Sequence, residues 1–231
     1  MKGTPVNDFA ELAHQLRDLL GLEEAPVGVT FDAADADDPK PVPRRPAGCC
    51  FWEPAQRGRL DTTAGDHANC SVGSYTHGLI PLEAAAARTD TGALVGSGWV
   101  SEADLVAAPA LDFTPASITY QPLADAADPQ VVLARLTPAS LMRLHSAVPG
   151  LKLAGKPQCA IVPLAQRGTA AVSPGCAVSR TRTGLADTDM TCALPAQELP
   201  SIVERLRAAV AADHVVSAYA AADIQANFAT G

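Results

Sequence analysis

Cysteine carries most of the distinctive chemistry in this sequence, and four of its six cysteines recur in a pattern. One stretch reads Cys49-Cys50-Phe51-Trp52-Glu53-Pro54-Ala55-Gln56-Arg57-Gly58 and is followed, after a loop, by Cys70-Ser71-Val72-Gly73. Another reads Cys159-Ala160-Ile161-Val162-Pro163-Leu164-Ala165-Gln166-Arg167-Gly168, with Cys176-Ala177-Val178-Ser179 close behind. In both, a Cys precedes Ala-Gln-Arg-Gly by the same number of residues. A shared tetrapeptide arises by chance about once in an Ala-rich chain of this size. The matched flanking cysteines set this one apart. If a pseudo-twofold axis relates the two units, their interface gathers Cys49, Cys70, Cys159 and Cys176. Four converging thiolates are the ligand set of a [4Fe-4S] cluster or of a structural zinc ion. The competing reading is that these cysteines are buried small hydrophobes.

Small zinc modules use closely spaced cysteine pairs, and no C-x2-C occurs here. Long spacings are compatible with cluster ligands drawn from distant loops, which favours iron-sulfur. Cys50 is an alternative to Cys49 as ligand, because neighbouring residues point different ways. Cys192, in Met190-Thr191-Cys192-Ala193-Leu194, reads as core. His67 and His77 bracket Cys70 in a polar segment and are the candidate catalytic groups, able to move protons near neutral pH, to ligate a metal or to bind haem. Their alternative role is to hydrogen-bond backbone. Trp52 could shield a cofactor or anchor the core. Arg180, with Arg182, could place positive charge beside an anion near the thiols. His14, His145 and His214 have no companion ligands.

The run Asp32, Asp35, Asp37, Asp38 lacks the central Gly and terminal Glu of a Ca²⁺ loop and reads as solvated. The Gly96-Ser97-Gly98 run has no third Gly of a dinucleotide fingerprint, and no phosphate-binding loop, nucleophile elbow or zincin motif is present.

Several elements must position these groups. Asn7 or Asp8 can cap a helix with Phe9, Leu12, Leu16, Leu19 and Leu20 on one side and Gly21 as its stop. Residues 26–31 alternate as a strand, and 32–45 read as an exposed loop. Residues 49–56 and 82–88 read as helical, 59–63 as extended, and Ser101 opens a capping box. Strands are expected at 117–120 and 131–133, a helix after Thr137-Pro138, and a final helix along Ile202, Leu206 and Val210. The mixture predicts an α+β fold of two similar halves, 1–115 and 116–231, within one domain.

The chain has 231 residues, is 48% hydrophobic and only 4% aromatic, and carries a net charge of -8. Scattered Lys and Arg argue against nucleic acid. No stretch resembles a signal peptide or a membrane span. A cytoplasmic location is expected, and in a reducing compartment cysteines serve as ligands or redox groups rather than disulfides. A homo-oligomer is compatible with the composition.

Over nearly its whole length the chain resembles the family called domain of unknown function 169. The residues that carry the likeness are the opening helix, Pro26-Val27-Gly28-Val29, the Cys49 region, Cys70 with Gly73, the segment 131–142, Cys159, and Gly175-Cys176 with Arg180. The resemblance implies cysteines at 49 or 50, 70, 159 and 176 for an iron-sulfur cluster, and names no reaction. The expectation is therefore a [4Fe-4S] protein with a redox or electron-transfer role toward an unidentified small molecule or redox partner protein. The alternatives are a zinc- or thiol-based binding or sensing module and a haem protein.

Overall fold

The computed structural model describes residues 7–32 and 44–228. The aspartate-rich run at 35–38 lies outside them. In chain order the elements are α1 (Phe9–Leu20), β1 (Val27–Phe31), 3₁₀ turns at Gly48–Phe51 and Pro54–Gln56, β2 (Leu60–Thr62), α2 (Ala64–His67), α3 (Ser71–Thr76), α4 (Leu82–Ala86), α5 (Thr89–Gly96), α6 (Glu102–Ala107) and β3 (Ile118–Pro122). After a 3₁₀ turn at Leu123–Asp125 come β4 (Val131–Leu136), α7 (Pro138–Ala147), β5 (Lys152–Leu153), a 3₁₀ turn at Gln158–Ala160, α8 (Ile161–Gln166), β6 (Ala171–Ser173), α9 (Ala177–Thr183), β7 (Met190–Pro195), a 3₁₀ turn at Ala196–Glu198 and α10 (Leu199–Asn227).

The opening helix forms as its sequence dictates. Asp8 accepts the Glu11 N–H at 3.1 Å, relieving one of the unpaired first-turn donors. Gly21, at φ 64, takes the left-handed conformation that ends the helix, and its N–H bonds Arg17 and Asp18 carbonyls. Phe9, Ala13, Leu16 and Leu20 form the buried stripe between these caps.

The strands form one mixed seven-stranded sheet in the order β2-β3-β1-β4-β7-β6-β5. All its pairings are antiparallel except β5 with β6. Strand periodicity sorts side chains to two faces. Val132, Ala134, Leu136, Val172, Cys192 and Leu194 pack under α1, α7 and α10. Their alternates Val131, Leu133, Ala171 and Ala193 join Val27, Val29, Ile118 and Tyr120 beneath Phe51, Trp52, Ile161 and Val162. The cysteine-bearing turns thus cover one face, and the long helices the other. A smaller cluster of Val72, Val100 and Leu105 ties the short helices α3 to α6 together.

The α+β class is as expected from the sequence. β3, which lies beyond the expected 115/116 division, pairs with β1 and β2. The strand β7 and the helices α3, α5 and α9 carry no strong periodic signal, being short and built largely of small polar or Ala residues. Among the described residues no helix is long and apolar enough to cross a membrane.

Candidate thiol site

Cys49 sits in the 3₁₀ turn Gly48–Phe51 and Cys159 in the 3₁₀ turn Gln158–Ala160. Cys70 and Cys176 each occupy the N-cap of a short helix, α3 and α9. The Ser179 N–H donates to Cys176 Sγ at 3.3 Å, and the Ser179 hydroxyl reaches Gln158 Oε1 at 2.6 Å, joining the two cysteine turns of the second half. All four cysteines named from the sequence line one small cavity, with Ala47, Val72, Leu94, Trp99, Pro157, Gln158, Val178 and Ser179 completing its wall.

Cys50 turns away, its thiol donating to the Arg182 carbonyl at 3.6 Å. Cys192 is fully buried in β7, and burial pushes its thiol up to about 12. Neither shares the cavity. Among the described residues the six cysteines are free of disulfides.

The electrostatics show thiols that crowd one another. Hydrogen bonding to Cys50 holds the Cys49 thiol well above the ordinary range, with burial and the neighbouring Cys159 and Cys70 adding to it. Burial raises Cys159, and Cys70 and Cys176 raise it further. Burial likewise raises Cys70, opposed by the Gly73 N–H and Arg182. Ionising several such groups together requires a compensating positive charge, which a metal centre supplies. Cys50 moves the other way, to about 7, through its bond with Cys49, with Ala47, Arg182 and Arg45 assisting against burial.

Among the described residues no group of three or more His, Cys, Asp or Glu side chains is placed to hold a metal ion. Cys49, Cys70, Cys159 and Cys176 share the lining of one cavity.

His67 and His77 lie beside this wall in the core, at 1% and 0% exposure, with ring centroids 5.5 Å apart. His67 Nε2 bonds Thr62 Oγ1 at 3.0 Å, and Phe51 and Tyr120 pack on its ring. His77 Nδ1 bonds the Gly73 carbonyl at 2.9 Å. Burial lowers both, to about 3 for His67 and about 4 for His77, so they are neutral at physiological pH. His67 Nδ1, His77 Nε2, Tyr120 Oη and Trp52 Nε1 are buried without hydrogen-bond partners.

Trp52 is a core side chain. It lines a separate small cleft, with Val27, Gln56, Leu133, Arg135 and Thr191, that shares Cys49 and Gln158 with the thiol cavity. The tryptophan in the thiol cavity is Trp99, whose sequence neighbourhood has neither helical periodicity nor cysteine to mark it. Lys156 stands over its ring, with Nζ 4.7 Å from the centroid. Arg180 is committed to backbone carbonyls, with bonds to Ala186 and Asp189 at 2.7 and 2.8 Å and further ones to Pro174 and Leu185. Arg182 is the arginine that faces Cys50 and Cys70, and its Nη1 is buried without a partner.

The fold and its site define an α+β protein in which a mixed sheet carries four cysteines on two pairs of turns around one cavity. The chain belongs to the domain of unknown function 169 (DUF169) family, described as an uncharacterised ArCR family, whose model matches residues 15–205. No curated protein and no solved structure matches it significantly.

Proposed function

We propose that this protein binds a [4Fe-4S] cluster through Cys49, Cys70, Cys159 and Cys176, and uses it to exchange electrons with a small ligand or a redox partner protein. The observation that carries this reading is the shared cavity: four thiols far apart in sequence line one wall, while the other two cysteines do not. The donor chemistry fits, since soft thiolates select iron-sulfur centres. The burial of both imidazoles among aromatic rings favours thiols over histidine as ligands, and so favours a cluster over haem. When bound, the cluster would supply one-electron chemistry, and Arg182 would balance its negative charge. The cleft that shares Cys49 and Gln158 is where a small ligand would approach.

An internal pseudo-twofold repeat accounts for the arrangement. The strand order β2-β3-β1 followed by β4-β7-β6 mirrors itself about the antiparallel β1/β4 pair. Each half contributes one cysteine from a 3₁₀ turn and one from a helix N-cap. The free thiols suit a reducing compartment such as the cytoplasm.

The test is anaerobic purification followed by iron, sulfide and zinc analysis and a visible spectrum. About four iron and four sulfide per chain, with broad absorbance near roughly 400 nm that bleaches on reduction, is the expected result. A colourless protein that takes up neither iron nor sulfide on anaerobic reconstitution would overturn it.

A further inference from the structure

The last helix outruns the fold it belongs to. α10 buries Leu199, Ile202, Val203 and Leu206 against the body of the protein and then continues to Asn227 with its side chains largely in water. The family match ends at residue 205, where this extension begins. From Leu206 to Asn227 it spans about 32 Å at 1.5 Å per residue. Large apolar groups are exposed along it: Val215 at 71% and Tyr219 at 72%, with Val216, Ile224 and Phe228 beyond half. Helices of this kind ordinarily gain their stability by packing an apolar face.

Val215 and Tyr219 share one such face, while Val216, Ile224 and Phe228 lie off it. At 100° per residue, Ala208, Ala211, Ala212, Val215, Ala218, Tyr219, Ala222 and Ala226 fall within an arc of about 120° that contains no polar residue. Inside it, Ala208, Ala212, Val215, Tyr219, Ala222 and Ala226 follow the alternating spacing of four and three that defines a coiled-coil seam.

We infer that this seam pairs with a second copy of the chain in antiparallel orientation, centred on Ser217. The spacing is palindromic about that residue: Ala208 meets Ala226 of the second copy, Ala212 meets Ala222, and Val215 meets Tyr219. An isologous twofold contact requires this self-complementarity. The two central layers then hold the same Val plus Tyr volume. A parallel pair would stack Tyr on Tyr beside Val on Val, and would bring both globular bodies to the same end of the helices. Asp223 lies beside Ala209 of the second copy, so no like charges face each other along the flanks. A face of this length on each copy buries on the order of 1,000 Å² in total, the size of a weak, concentration-dependent interface.

The experiment is sedimentation velocity of the full chain from micromolar to about 100 μM. The wild type is expected to dimerise, Val215→Glu and Tyr219→Glu are each expected to be monomeric, and Ser217→Glu, on the opposite face, should remain dimeric. Combining Val215→Glu with Tyr219→Lys should restore association, because the antiparallel register sets each Glu against a Lys. A monomeric wild type, a dimer indifferent to Val215→Glu and Tyr219→Glu, a dimer lost in Ser217→Glu, or a charge-paired variant that stays monomeric would each overturn the inference. Far-UV circular dichroism checks that every variant remains folded.

Discussion

Replacing Gly48 with alanine probes the contact that seats the Cys49 turn on the core. A Cβ built at this position lies 2.5 Å from His67 Nδ1 and 3.0 Å from its Cε1, so the imidazole must retreat by about 1 Å. Retreat is opposed on several sides. His67 is bonded to Thr62 Oγ1 at 3.0 Å, Thr62 is itself anchored to the Ile118 carbonyl at 2.7 Å, and Phe51 and His77 pack on the ring. Overpacking of this kind costs about 1–3 kcal/mol, and a broken buried hydrogen bond about 1–3 kcal/mol more. Gly48 does not have a positive φ, so alanine brings no backbone penalty there, and the stiffer unfolded chain returns about 0.4–1 kcal/mol. The net expectation is a loss of about 2–4 kcal/mol in urea unfolding. With His67→Ala in the same chain the obstacle is gone, and Gly48→Ala should become neutral or mildly stabilising. The double-mutant cycle should therefore show a coupling of at least about 2 kcal/mol. An equal cost of Gly48→Ala in both backgrounds would falsify this account of the turn.

Other measurements address the remaining groups. Tyr120→Phe removes a buried hydroxyl that has no well-formed hydrogen bond and whose neighbouring donor is Trp52 Nε1, so stability should change by less than about 1 kcal/mol, and a loss above about 1 kcal/mol would show that the Trp52 contact acts as a full hydrogen bond. His67 and His77 are neutral in the folded protein down to about pH 4, whereas the unfolded chain binds protons below about 6.5. Stability is thus unaffected by them above about pH 6.5 and falls with pH below it, by about 2 kcal/mol each at pH 5. A His67→Gln, His77→Gln variant should flatten that slope, and an unchanged slope would remove these residues from the explanation. Cys49→Ser should abolish cluster loading while Cys50→Ser retains it; the reverse pattern in iron analysis would exchange their roles. Arg182→Gln should move the cluster midpoint potential negative by roughly tens of mV, since it removes a positive charge beside the thiols. Arg180→Gln should lower stability and leave the potential unchanged, because its guanidinium serves the backbone.

What could be read from residue order alone was local. Asp8, the Leu16 and Leu20 stripe and Gly21 specify α1 because capping and helical periodicity act within a few residues. The repeated Cys spacing named Cys49, Cys70, Cys159 and Cys176, and these four line one cavity. Sequence could not decide between Cys49 and Cys50. That choice depends on which way a 3₁₀ turn faces once Gly48 is pressed on His67. Nor could it separate Arg180 from Arg182, or Trp52 from Trp99. One arginine is drawn off by carbonyls of the following loop, and one tryptophan lines the thiol cavity from the helical insert that precedes β3. The pairing of β3 with β1 and β2 was hidden too, because the partner strands lie more than fifty residues away and only the sheet brings them together. Helix starts, stops and buried stripes follow from neighbours in sequence, whereas the direction a side chain takes at the site follows from neighbours in space.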